Sequence, residues 1–211
     1  MEDKETKDKI LKGAEALFMK YGIRSISMDD IARHLGASKK TLYQHFTDKD
    51  EIITQVLQIH LEGNMKEMEG FSKTSGNAVD ELVKISLCLK RNMQDMNPTV
   101  MFDIQKYHPK GWAIWTEFKS KFIRESVIRN LEQGIEEGYF RPEINVEVLA
   151  ALRLQVIEAV FSDRFFPKEK YSLAETQVQV FDHFVYGLCT EKGRKLYQKY
   201  KTETTHAETI L

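Results

Sequence analysis

The feature that most constrains this chain is a glycine set between two short amphipathic runs. From Ser27 to Lys49 the sequence reads SMDDIARHLGASKKTLYQHFTDK. Ser27 is a favourable N-cap, and Asp30 three residues later completes a capping-box-like pattern. The helix that starts there carries Ile31 and Leu35 on one face. Gly36 stops it, because glycine accepts the left-handed conformation that ends many helices. Ser38 can cap the next helix, Lys39 to Phe46, which is only about two turns long. Helix, tight glycine-containing turn, helix is the helix-turn-helix pattern.

The second helix is anchored by two residues. Leu42 and Phe46 are four apart and share a face that can pack on Ile31 and Leu35. At about 100° per residue, the opposite direction belongs to Lys40, Thr41 and Gln44, with Tyr43 and His45 on the flanks. Lys39 lies in the first turn, and no acidic residue occurs from Gly36 to Thr47. Such a helix fits the major groove, its middle reaching base edges and its flanks reaching phosphates. Lys39 and Lys40 alone would read as a solvated helix face; the motif around them favours nucleic acid.

This stretch resembles the DNA-binding domain of the TetR (tetracycline repressor) family. The resemblance is carried by Ile31-Ala32, Leu35-Gly36-Ala37-Ser38, Thr41-Leu42-Tyr43, His45-Phe46, and Lys49 followed by Asp50-Glu51. It extends back over Ala14, Leu17, Phe18, Gly22 and Ile26, and so covers roughly the first quarter of the chain. The family pattern implies phosphate contacts at Tyr43, His45 and Lys49, and base contacts from the start of the recognition helix. Some members place a base-reading arginine two residues after the Ser27 position; Asp29 stands there in this sequence, so that contact is not carried over. The expected DNA-binding set is Ser27, Ser38, Lys39, Lys40, Thr41, Tyr43, Gln44, His45 and Lys49.

The whole chain of 211 residues reads as all-α, with about nine or ten helices and no period-two strand pattern. The expected division is a three-helix DNA-binding domain over residues 1–48, with the helix-turn-helix at 27–46, and a larger helical ligand-binding and dimerisation domain over 49–211. The first helix should run from about Thr6 to Tyr21, and the fourth from Thr47 or Asp48 to about Met68, before a loop at Phe71–Asn77. Further helices are expected at Ala78 to about Met96, Thr99 to Tyr107, Gly111 to Glu137, Asn145 to Phe165, Ser172 to Leu188 and Glu191 to Tyr200, with a frayed tail from Thr202. Hydrophobic content of 42% and charged content of 30% suit a globular chain. A net charge of -1 requires the positive charge facing DNA to be local, which the acid-free helix supplies.

The middle helices are rich in bulky, soft side chains: Met93, Met101, Phe102, Trp112, Trp115, Phe118 and Phe122. Composition alone favours an ordinary helical core. The alternative, supported by the resemblance, is a pocket for a small apolar or aromatic effector. Apolar stripes on the last two long helices include Leu152, Val156 and Val160, then Val178, Phe181 and Val185. Periodicity allows these to serve the domain's own core, whereas the resemblance implies a homodimer built from those helices.

No metal site, cofactor or catalytic motif is expected. None of the six histidines stands at a convincing metal spacing, although Glu62 is near His60, and Cys88 and Cys189 are far apart. The N-terminus begins Met-Glu-Asp-Lys-Glu without an apolar leader core, and no apolar run is long enough to cross a bilayer. A cytoplasmic protein with reduced thiols and no membrane partner is therefore expected. The combined reading is a homodimeric transcriptional repressor on palindromic double-stranded DNA, released by a small molecule. The alternatives are a DNA-bound structural or adaptor protein with no effector, and an enzyme with an accessory DNA-binding domain.

Overall fold

The computed structural model describes residues 2–209, with side chains placed from 3 to 204. Its helices are α1 (Glu2–Tyr21), α2 (Met28–His34), α3 (Lys39–His45), α4 (Lys49–Thr74), α5 (Ala78–Gln94), α6 (Thr99–Tyr107), α7 (Pro109–Phe118), α8 (Arg124–Glu136), α9 (Val146–Val160), α10 (Leu173–Leu188) and α11 (Glu191–Thr209). A π-helical segment, Lys119–Ile123, joins α7 to α8. Counted as one helical run, these three make the total ten. Among the described residues there is no strand, only an isolated antiparallel bridge between Phe140 and Cys189. No helix there is long and apolar enough to cross a membrane.

The chain packs as two compact units. The first takes the chain up to Asn64 and adds Asp95–Phe118; the second takes Met65–Gln94 and the chain from Lys119 onward. In the first unit α1 buries Ile10, Leu11, Ala14, Leu17 and Phe18. Ile31 and Ala32 of α2, Leu42 of α3, Phe46 just beyond it, and Ile52 and Ile53 of α4 are also buried. These positions recur at three and four residues, so each short helix turns one apolar stripe inward. Two glycines punctuate the unit. Gly22 ends α1 with φ +80°, and a Cβ there would lie 2.7 Å from Thr99 Oγ1, so the position excludes a side chain on both counts. Gly36 ends α2 at φ +62°.

The second unit is built around Val79, Leu82, Leu131, Phe140, Phe181, Val185 and Leu188, with Tyr197 fully buried beside them. Glu81 is buried as well, but not alone. Arg129 Nη1 donates to it at 3.1 Å and Asn130 Nδ2 at 2.8 Å, so its charge is paired and hydrogen-bonded.

Several helix ends differ from the sequence expectation. α4 continues to Thr74, because the hydroxyls of Ser72 and Thr74 donate back to the carbonyls of Glu69 and Gly70 instead of breaking the helix. The same back-bonding by Thr202 and Thr204 carries α11 to Thr209, where a frayed tail was expected. The long helix expected over Gly111 to Glu137 starts at Pro109, a residue suited to a first helical position, and changes to π geometry at Lys119. α9 stops at Val160 rather than Phe165, since Phe161 N and Ser162 N turn back to Glu158 O and Ala159 O.

The apolar stripes of α9 and α10 also need correction. Val160, Phe181 and Val185 face the core of their own unit and are nearly or fully buried in the single chain. They cannot at the same time line an outer seam. Of the expected interface residues, Leu152 is 51% exposed, and Val156 and Val178 are half-buried. Val148, one turn before Leu152, is exposed too.

Candidate nucleic-acid interface

The local sequence fixes α2 and α3 before any long-range contact is considered. Ser27 Oγ accepts from Asp30 N at 3.2 Å while Ser27 N donates to Asp30 Oδ2 at 2.9 Å, a complete capping box. These bonds from Ser27, helped by Arg33 and Lys49, hold the Asp30 carboxyl below its usual range. Ser38 caps α3 by accepting from Thr41 N at 3.0 Å, and its hydroxyl lies 2.8 Å from that of Thr41. Leu42 and Phe46 are buried, so the helix can present only its other side.

That side carries Lys39, Lys40, Tyr43 and Gln44, all exposed, with Thr41 half-buried between them. Tyr43 is 48% exposed. Among the described residues Lys40 and Gln44 make no hydrogen bond or ion pair, which leaves both heads available to a partner. Lys39 differs: its Nζ meets Asp29 Oδ1 of α2 at 2.8 Å, and this carboxylate raises the lysine above its ordinary pKa. A scan for acids along α3 alone misses this pairing, because the acid arrives from the neighbouring helix. The face remains net positive through Lys40.

His45 and Lys49 are less free than their flank positions imply. The His45 ring keeps 11% side-chain exposure, with Nδ1 3.3 Å from Asp3. Lys49 is half-buried and donates to Ile23 O at 2.7 Å, closing the α1–α2 turn onto the start of α4. Burial lowers its pKa, against the opposing pull of Asp103 and Asp30. One of its three ammonium donors is engaged by Ile23, and two remain.

α6 braces this arrangement from outside the three-helix core. Asn97 N, just before it, donates to Met19 O at 2.6 Å. Asp103 accepts from Arg24 N at 3.3 Å, and the Arg24 guanidinium stands over the Tyr107 ring at 4.7 Å. His108 Nδ1 lies 2.7 Å from Asp50 Oδ1 in the first turn of α4. Both chain segments flanking the helix-turn-helix pair are thus tied to one short helix. The sequence shows His108-Pro109 only as a helix stop; no periodicity marks Asp103 or His108 as a tie.

The aromatic set divides between the units. In the first, Met101 and Trp115 are buried, Trp115 lies 5.9 Å from the Phe118 ring, and Trp112 is half-buried. Phe102 faces outward at 47% exposure, edge-on to Tyr107. Met93 and Phe122 are half-buried in the second unit. Among the described residues no three His, Cys, Asp or Glu side chains cluster as a metal site. Burial pushes the thiols of Cys88 and Cys189 up to about 11, so neither is an activated nucleophile at neutral pH.

A capped recognition helix that carries no acid of its own, seated on a three-helix core, defines a helix-turn-helix DNA-binding protein. The sequence profile described as "Bacterial regulatory proteins, tetR family" matches residues 10–56. The repressor KstR2 of Mycobacterium tuberculosis is 26% identical over 143 residues, covering 66% of this chain and 72% of KstR2. A TetR-family regulator from Agrobacterium tumefaciens shares the fold with a TM-score of 0.73 at 14% identity, over 89% of this chain and all (100%) of that one. A regulator from Saccharomonospora viridis, solved in complex with choline, does so with a TM-score of 0.71 at 18% identity, over the same 89% of this chain and 100% of its own. Residues 10–56 are a DNA-binding domain of the TetR family, a family of transcriptional regulators and not of enzymes.

Proposed function

We propose that this protein is a homodimeric repressor that binds a palindromic operator through α3 and is released from it by a small molecule. The observation that carries the reading is the unpaired, exposed Lys40 and Gln44 pair on a helix whose opposite side is fixed by Leu42 and Phe46. Lysine donates to guanine O6 and N7, and glutamine pairs with adenine N6 and N7. Tyr43 and the two spare donors of Lys49 supply phosphate contacts, which position the helix without reading sequence.

The geometry of groove readout supports dimerisation. A two-turn helix reads only a few base pairs, so useful specificity requires two copies on one DNA face, with centres about 34–36 Å apart or a multiple of that. The exposed apolar positions Val148 and Leu152 with Val156 on α9, and Val178 on α10, are the seam this requires. KstR2 is described as a repressor, which supports negative regulation. The choline complex supports a small-molecule effector for this chain as well. An effector that prefers a differently spaced conformation shifts the population away from the DNA-bound one. The ties from α6 to the α1–α2 turn and to α4 mean that displacement of α6 carries α3 with it.

Selection of bound DNA from a random pool tests this reading. The expected product is a palindrome whose half-site centres are one helical turn, or a multiple, apart. An asymmetric product, or no enrichment, would overturn it.

A further inference from the structure

Among the described residues, Arg153 is the one charged side chain of the second unit with a buried nitrogen that lacks a hydrogen-bond partner. It lies on the inward face of α9 at 4% exposure. Its guanidinium stands over the rings of Phe181 and Phe184 on α10, at 4.8 and 5.7 Å. Nη1 is buried without a hydrogen-bond partner, and among the described residues no carboxylate pairs with the group. Burial alone lowers its pKa, to about 10, so it keeps its proton at neutral pH.

The acids of α9 and α10 do not pair with it. On α9, Glu147 pairs with Arg124 and Glu158 pairs with Lys119. On α10, Asp182 accepts from the Tyr197 hydroxyl at 2.7 Å and pairs with Lys201, while Glu175 sits exposed in the first turn. One turn before Phe181, on the same α10 face, Gln177 is 1% exposed with its Oε1 unpartnered. An amide can turn either its oxygen or its nitrogen toward a ligand.

Two facing helices thus bury one unpaired cation and one unsatisfied amide among aromatic rings. Rings over a guanidinium attract it but leave its N–H donors without hydrogen-bond acceptors. A buried charge without a partner is a standing cost that a core of apolar side chains would avoid. The second unit also contains the π-helical segment Lys119–Ile123, which packs on α9, and such segments recur at functional sites.

We propose that Arg153 anchors the effector, and that the effector is an organic anion: a carboxylate carried on an apolar body. The carboxylate takes the fork of the guanidinium, which matches it with two parallel hydrogen bonds. Gln177 turns its amide nitrogen to the same head, and Phe181 and Phe184 cover the apolar body. The class is opposite in charge to choline, whose quaternary ammonium Arg153 would repel. This inference rests on the effector reading given above.

Calorimetric titration of the full chain tests it, with octanoate, dodecanoate and phenylacetate as probes. Octanol, phenylethanol and octyltrimethylammonium serve as neutral and cationic counterparts. The carboxylates should bind, and the counterparts should bind at least ten times more weakly. Arg153→Met should weaken carboxylate binding by about 30-fold or more. In the absence of probe, Arg153→Met should melt at or above the wild-type temperature, since it removes an unpaired buried charge. Failure of every carboxylate to bind overturns the proposal, as does carboxylate binding that survives in Arg153→Met. A cold-sensitive or strongly destabilised Arg153→Met also overturns it, because the cation is then part of the core. Octanol or the ammonium binding as tightly as octanoate overturns the anionic class while leaving the effector reading intact. That reading fails separately if none of the six probes binds or changes affinity for the selected DNA.

Discussion

Leu152→Glu tests the proposed apolar seam between subunits against the core within one. Leu152 is 51% exposed in the single chain, so the substitution should leave subunit stability within about 0.5 kcal/mol of wild type, as at other surface positions. In a two-fold dimer the same residue enters the interface twice. Each buried, unpaired carboxylate costs about 3 kcal/mol or more. Two copies therefore cost about 6 kcal/mol, roughly four decades in the dimer dissociation constant. Sedimentation equilibrium should show a monomer at micromolar concentration, with a wild-type helical spectrum and melting temperature. Operator binding should fall with it, because the second half-site no longer binds as part of one molecule. Phe181→Glu is the contrast: Phe181 is 3% exposed inside its own unit, so that variant should fail to fold. A Leu152→Glu protein that remains dimeric with an unchanged constant would refute the seam. One that unfolds would refute the exposure argument.

Three other outcomes follow from single contacts. Gly134→Ala places a Cβ 2.0 Å from Phe140 Cδ2 in a ring that is fully buried; the expected cost is about 1–3 kcal/mol, read as a drop of several degrees in melting temperature, and an unchanged melt would show that Phe140 can move. Tyr43→Phe and Lys49→Ala should weaken specific and random DNA alike, and Lys49→Ala should lower the salt slope by about one unit; a changed sequence preference would contradict a phosphate role. Cys88 and Cys189, both pushed up to about 11, should react with a disulfide reagent at pH 8 only on the time scale of unfolding, and prompt labelling of the native protein would contradict their burial.

The helix-turn-helix was legible because its determinants are local. Ser27, Asp30, Gly36 and Ser38 fix caps and a turn within a few residues, and each does so in the structure. The Leu42/Phe46 anchor was legible by periodicity, and both are buried. What periodicity cannot supply is which of two partners a stripe will face. It marked Phe181 and Val185 as apolar, but their choice of the unit's own core depends on how α5 and α10 pack. Polar ties between distant segments were equally invisible. Asp29 to Lys39, Lys49 to Ile23 O, and Asp50 to His108 each join residues whose spacing carries no pattern. The helices run past their expected ends to Thr74 and Thr209, since a Ser/Thr/Gly-rich stretch suggests a loop and a polar terminus suggests fraying, whereas the hydroxyls of Ser72, Thr74 and Thr202 bond back to the preceding turn.

The central claim is that the outer face of α3 reads bases, and Gln44 tests it most directly. Gln44 is exposed, uncharged and without a partner among the described residues, so its removal should change neither fold nor electrostatics. Binding of wild type and Gln44→Ala should be compared across every single-base variant of the selected operator. The variant should lose preference at one or two symmetry-related positions, by about 1–3 kcal/mol each, and keep the wild-type profile elsewhere. A profile identical to wild type at every position would contradict the placement of this helix in the groove.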